Sequence, residues 1–127
     1  MILADTAVWV DHLRGGDAAL QGLLEESRVL VHLFVIGELA CGNLQDRGEV
    51  LNLLQHLPQA PLASHGEALF FIEKNALMGR GIGYIDAHLL AATALADESL
   101  LWTRDKRLAG VAADLQFNYE PLTARAE

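Results

Sequence analysis

The sequence predicts an α/β fold, a parallel sheet of short buried strands covered by helices on both faces. Three observations carry that prediction. Short apolar runs alternate along the chain with longer stretches of helical periodicity, as expected of parallel strands joined by crossover helices. The opening run MILA is apolar at every position and stops at Asp5, the pattern of a strand buried on both faces. The stretch YIDAHLLAATALA is alanine-rich and apolar nearly all round, which places a helix there against the sheet.

Each element has its own signal. Residues 1–4 form the first strand and 6–13 the first helix, which Gly15 and Gly16 end. Asp17 is placed to cap a second helix over 18–26. RVLVH, residues 28–32, reads as the second strand, and residues 34–43 as a helix with Gly42 near its end. Asp46 is placed to cap a helix over 47–56. LPQAPLA contains two prolines, so it reads as a connection with room for one short strand. Residues 65–78 are helical, GRGIG is a loop, and 84–96 is the buried helix. Residues 100–102 form a strand, 106–111 a short helix, and LQFNYEPL offers a last edge strand.

The 127 residues suit one domain over 1–127, and 52% hydrophobic residues with a mean hydropathy of +0.23 exclude a disordered chain. A single cysteine, Cys41, excludes an internal disulfide framework and suits a reducing compartment. The N-terminal stretch lacks a basic region ahead of its apolar residues, and no apolar run is long enough to cross a bilayer. A cytoplasmic protein is expected. The net charge of −8 argues against a broad nucleic-acid-binding surface, leaves room for a local metal-assisted site, and suits a basic protein partner.

Ligand sites of open parallel sheets lie at the carboxyl ends of the strands. Asp5 ends the first strand, and Asp105 follows the 100–102 strand. Glu38 lies in the early turns of the helix after the second strand, and Asp86 in the first turn of the buried helix. If neighbouring strands bring these ends together, four carboxylates converge. Like charges that close raise each other's pKa, and a divalent cation would relieve them. All-oxygen donors favour Mg²⁺ or Mn²⁺ over zinc. Each acid also has a purely structural reading: Asp5 and Asp105 as helix caps, Glu38 as a solvent-facing residue, Asp86 as an early-turn acid.

MILADTAVWVDHLR, VIGELACG, YIDAHLLAATAL and LLWTRDKRL resemble, in this order and spacing, the PIN-domain family, and look most like its VapC toxin branch. The resemblance covers essentially the whole chain. It implies a three-layer α/β/α sandwich with a short, mostly parallel sheet, usually as a homodimer. It implies a Mg²⁺- or Mn²⁺-dependent endoribonuclease inhibited by a cognate VapB-like antitoxin, with RNA as substrate. The family's acids map onto Asp5, Glu38, Asp86 and Asp105, and its hydroxyl two positions before the last acid maps onto Thr103. The implied reaction is attack by an activated water, leaving a 5′-phosphate and a 3′-hydroxyl.

The rival to a nuclease is a non-catalytic PIN-like module that binds a partner through the same groove. A phosphoacceptor receiver domain is disfavoured because no aspartate occurs in HLPQAPLAS. An aspartyl phosphatase would carry a second Asp two residues after Asp5, where Ala7 stands. Asp86, Thr93 and Asp97 fall within about 40° on a helical wheel, with His88 opposite. His88 is therefore expected in packing, and Cys41 as a buried small residue. Trp9 and Trp102 are assigned to core or interface, and Asp11 to the surface. His32 lies near enough to Glu38 for a supporting role. Arg104, Lys106 and Arg107 read as a solvated basic turn or as a stretch from which one side chain reaches a phosphate, and Arg80 as meeting phosphate or solvent.

Overall fold

Ile2, Leu3 and Ala4 are all but fully buried. Successive strand residues point to opposite faces, so both faces of this strand are covered. The computed structural model describes residues 1–121. In chain order they form β1 (Ile2–Ala4), α1 (Thr6–Gly15), α2 (Ala18–Glu25), β2 (Val29–Leu30), α3 (Leu33–Ala40), α4 (Arg47–His56), α5 (His65–Lys74), α6 (Tyr84–Leu95), β3 (Leu100–Trp102) and α7 (Lys106–Asp114).

The sheet has the order β2-β1-β3, and both pairings are parallel. Ile2 stands opposite Val29 and Leu100, and Leu3 opposite Leu30 and Leu101. The first strand in sequence is thus the central one, and its carboxyl end lies between those of the other two. Helix α1 packs on α2 and α3, and α3 on α4, while α5 packs on α6 and α6 on β3. The result is the three-layer α/β/α sandwich. Leu3, Leu89, Leu90 and Leu101 are fully buried in its core, with Trp9 and Trp102 nearly so.

Local chemistry explains most boundaries. Gly16 ends α1 at φ 82°, a region that favours glycine, and its N–H donates to the His12 carbonyl. The Asp17 carboxylate accepts from the Leu20 N–H and starts α2. Ser64 and Glu67 cap α5 reciprocally.

Several expectations require correction. Asp46 stands before α4 in the left-handed region and makes no side-chain cap bond. The helix expected over 65–78 ends at Lys74, because Ala76 turns to φ 52°. The connection LPQAPLA contributes a single bridge, Gln59 to Val31, rather than a strand. The expected last strand is likewise one parallel bridge, Asn118 to Leu101, and its final residue, Leu122, lies outside the described residues. Cys41 is exposed, because α3 ends at Ala40 and the chain turns outward there. No described helix is long and apolar enough to cross a membrane.

Candidate active site

Four chain segments meet at the carboxyl edge of the sheet. Asp5 leaves β1 with its N–H donating to the Trp102 carbonyl at 2.8 Å, so the ends of β1 and β3 are tied at this point. Its Oδ1 accepts from the Thr6 N–H at 2.7 Å, and its Oδ2 accepts from the Thr103 hydroxyl at 2.7 Å. Thr103 Oγ in turn accepts from the Asp105 N–H at 3.1 Å. One buried hydroxyl therefore fixes the first and last acids relative to each other. Asp105 Oδ1 accepts from the N–H groups of Arg107 and Leu108, at 2.9 and 3.0 Å, so this residue is also the cap of α7.

Glu38, on the second turn of α3, accepts from the Thr6 hydroxyl through Oε1. Asp86, in the first turn of α6, accepts from the Gly83 N–H through Oδ2 at 3.1 Å. The four acids line one open cleft of about 610 Å³, together with Thr6, Asp11 and Arg104. Burial pushes the Asp86 carboxyl above the ordinary carboxylate range. The Gly83 N–H opposes that rise, and the charges of Asp5, Asp105 and Glu38 add to it. The four carboxylates therefore share one electrostatic environment.

The donor set fits a hard divalent cation. It consists of carboxylates and hydroxyls, with no imidazole or thiol among the cleft residues. Among the described residues, Glu38 Oε2, Asp86 Oδ1 and Asp105 Oδ2 accept no hydrogen bond, so each acid but Asp5 keeps a free oxygen. As the side chains stand, no three described His, Cys, Asp or Glu residues are grouped closely enough to hold one ion. Repulsion accounts for that spacing. The Gly83, Arg107 and Leu108 N–H groups hold Asp86 and Asp105 to their own helices, and Thr6 holds Glu38 to the start of α1.

Arg104 is the one basic residue lining this cleft, and it is already committed. Its Nε meets Asp11 at 2.7 Å and its Nη2 meets Asp17 at 2.9 Å, with the guanidinium 5.5 Å from the Trp102 ring centre. Burial pushes Asp17 up, but the Leu20 N–H and Arg104 outweigh it and hold its carboxyl below the usual range. Asp11 is exposed, as expected, and also lines the open cleft. Arg80 pairs with Asp114 at 2.8 Å instead of standing free.

Thr93 and Asp97 do not join the site. Thr93 is buried and returns its hydroxyl to the Leu89 carbonyl at 2.8 Å, and α6 ends before Asp97. His32 is no partner of Glu38. It caps α3, its Nδ1 accepting from the Phe34 N–H at 2.9 Å. His88 packs beside it, with Phe34 against both rings and Tyr84 against His88. Thr6 was missed by the sequence reading. Its only local signal was its place directly after Asp5, and that signal was spent on the start of α1.

A family model described as PIN domain matches residues 2–114. Two curated proteins, each named Ribonuclease VapC32, come from Mycobacterium tuberculosis strains CDC 1551 / Oshkosh and ATCC 25618 / H37Rv. Each is 46% identical to this chain over 114 residues, which cover 90% of this chain and 92% of the relative.

Proposed function

This chain belongs to the PIN-domain family, in its VapC branch, and on that premise we propose that it is a metal-dependent endoribonuclease toxin restrained by a cognate VapB-type antitoxin. The observation that carries the reading is the convergence of Asp5, Glu38, Asp86 and Asp105 on one cleft at the carboxyl edge of the sheet. Those four acids would hold Mg²⁺, with Mn²⁺ as a possible substitute. When bound, the cation supplies Lewis acidity toward a phosphodiester oxygen and toward water.

The chain's own groups set the conditions for that chemistry. Without a cation, four carboxylates repel a phosphodiester, so the cleft admits RNA only once their charge is offset. Thr103 holds Asp5 Oδ2 and the Asp105 N–H at fixed positions, and Thr6 holds Glu38. These are positioning roles, and they limit the reorganisation needed when an ion and substrate enter. Hydrolysis by water leaves a 5′-phosphate and a 3′-hydroxyl and spares the ribose 2′-hydroxyl. The whole chain acts as one domain, functions in the cytoplasm and assembles as a homodimer in this reading.

The spacing of the unliganded carboxylates favours one second reading, a non-catalytic module that binds a protein through the cleft. Incubating the purified, partner-free chain with total RNA separates the two. Cuts bearing 5′-phosphate ends are expected in Mg²⁺ or Mn²⁺, absent in EDTA and absent for Asp86→Asn. Cyclic 2′,3′-phosphate ends, or cutting that survives EDTA, would refute the metal-dependent mechanism.

A further inference from the structure

The loop GRGIG, residues 79–83, leads into α6 and ends on the Gly83 N–H that Asp86 accepts. Among the described residues, no backbone hydrogen bond ties residues 79–82 to another element. Side chains hold this loop. Ile82 packs, partly buried, against the core, and Arg80 Nη2 meets Asp114, the last residue of α7, at 2.8 Å. Arg107, about two turns before Asp114 on the same face of α7, lays its side chain over Gly81. The loop thus runs along α7 and is tied to it near both ends.

The approach at Gly81 is close. A Cβ there would stand 2.7 Å from Arg107 Cδ and 2.9 Å from its Nη1, and Gly81 has φ 83°. Both the backbone conformation and the neighbouring side chain therefore favour glycine. The Arg107 guanidinium has no hydrogen bond or ion pair among the described residues, so its contact with the loop is one of packing. Arg107 stands two positions after Asp105, and Gly81 two before Gly83. Their contact joins the segment that carries Asp105 to the segment that holds Asp86.

Asp86 lacks the links that the other acids have. Thr103 joins Asp5 to Asp105, and Glu38 is bonded to Thr6, the neighbour of Asp5. Among the described residues, Asp86 bonds only to Gly83, within its own segment. The core buries α6 from Ala87 to Thr93, whereas Tyr84 and Ile85 of its first turn are exposed. We propose that Arg107, seated on Gly81, is a positioning residue for the metal site. It latches the glycine loop to the start of α7 and so sets Asp86 relative to Asp105. That role rests on the reading of the four acids as metal ligands, and adds to it the contact that fixes their spacing.

Mn²⁺ titration of the partner-free chain without RNA, followed by the paramagnetic resonance of the free ion, tests the latch. Arg107→Ala should weaken Mn²⁺ binding about tenfold, the lower end for groups that orient metal ligands. Charge alone predicts the reverse, because removing a cation from beside four carboxylates favours a divalent ion. Arg107→Met keeps an unbranched stem over Gly81 and should bind Mn²⁺ at least as tightly as the parent. Gly81→Ala should also weaken binding. Its methyl group displaces Arg107, so Gly81→Ala with Arg107→Ala should cost less than the two separate losses combined. Equal losses in Arg107→Met and Arg107→Ala would overturn the latch. So would a lowered melting temperature of Arg107→Ala with unchanged Mn²⁺ affinity, the mark of a merely structural contact. A raised KM for RNA in both Arg107 variants, with Mn²⁺ binding no weaker, would overturn it in favour of a phosphate contact. Absence of Mn²⁺ binding by the parent chain would instead refute the metal-site reading itself.

Discussion

Asp105 does two jobs with two oxygens. Oδ1 starts α7 through the N–H groups of Arg107 and Leu108, while Oδ2 accepts nothing among the described residues. The jobs separate by substitution. Asp105→Asn keeps an oxygen for the helix and should melt with the parent, whereas Asp105→Ala should lose about 1 kcal/mol of stability. Both should lose metal-dependent RNA cutting. Thermal melts run beside the RNA assay check this, and equal melting of the two variants would refute the capping account. Asp5 and Asp105 were legible in the sequence, because each is the first acid past an apolar strand. The Thr6–Glu38 bond and the Arg104 ties to Asp11 and Asp17 were not. They join residues on different elements, and which side chains meet depends on how those elements rotate against one another.

Among the elements, α3 and α6 carry the two acids that do not follow a strand directly, and their N-terminal turns meet through His32 and His88. Burial, with the His88 ring adding to it, holds His32 down to about 4. A histidine whose folded pKa lies below its unfolded value supports the fold fully above pH 6.5, and loses that support as pH falls toward 4. Between pH 7.5 and 5.5 the fold should lose about 1 kcal/mol from this group. Urea midpoints at the two pH values measure it. His32→Asn can still cap α3 and should flatten the difference; an equally steep fall in that variant would assign the acid sensitivity elsewhere. Element order was the most legible feature of the chain, since β1 and β3 announce themselves by unbroken apolar composition and α6 by a nearly apolar, alanine-rich one. The sheet edges were not, because one bridge at Gln59 and one at Asn118 leave little trace in composition.

The whole molecule carries a net charge of −8 and gathers four acids in one cleft, so its stability should respond to divalent cations. Ion binding to the folded state alone stabilises by about 2.7 kcal/mol at a hundred times Kd. The melting temperature in Mg²⁺ should therefore exceed that in EDTA. Asp86 sets the sign of the metal-free case. Its folded pKa is raised, so stability falls as pH rises from the ordinary carboxylate range through the folded value. Asp86→Asn retains an acceptor for the Gly83 N–H, and should melt a few degrees higher than the parent in EDTA at pH 7. It should also lose most of the Mg²⁺ response. Scanning calorimetry of both chains, with and without Mg²⁺, gives all four values; a lower melt for Asp86→Asn in EDTA would contradict the repulsion argument.

The bond from Thr103 to Asp5 spans 98 residues of sequence. The central strand β1 is synthesised well before β3, the neighbour it pairs with on one side, and contacts of such separation form late and slowly. A nascent chain halted between Asp86 and β3 holds Asp5, Glu38 and Asp86 but lacks Thr103 and Asp105, which complete the cleft. Nuclease competence thus waits for the synthesis of β3 and of the Thr103 and Asp105 that follow it.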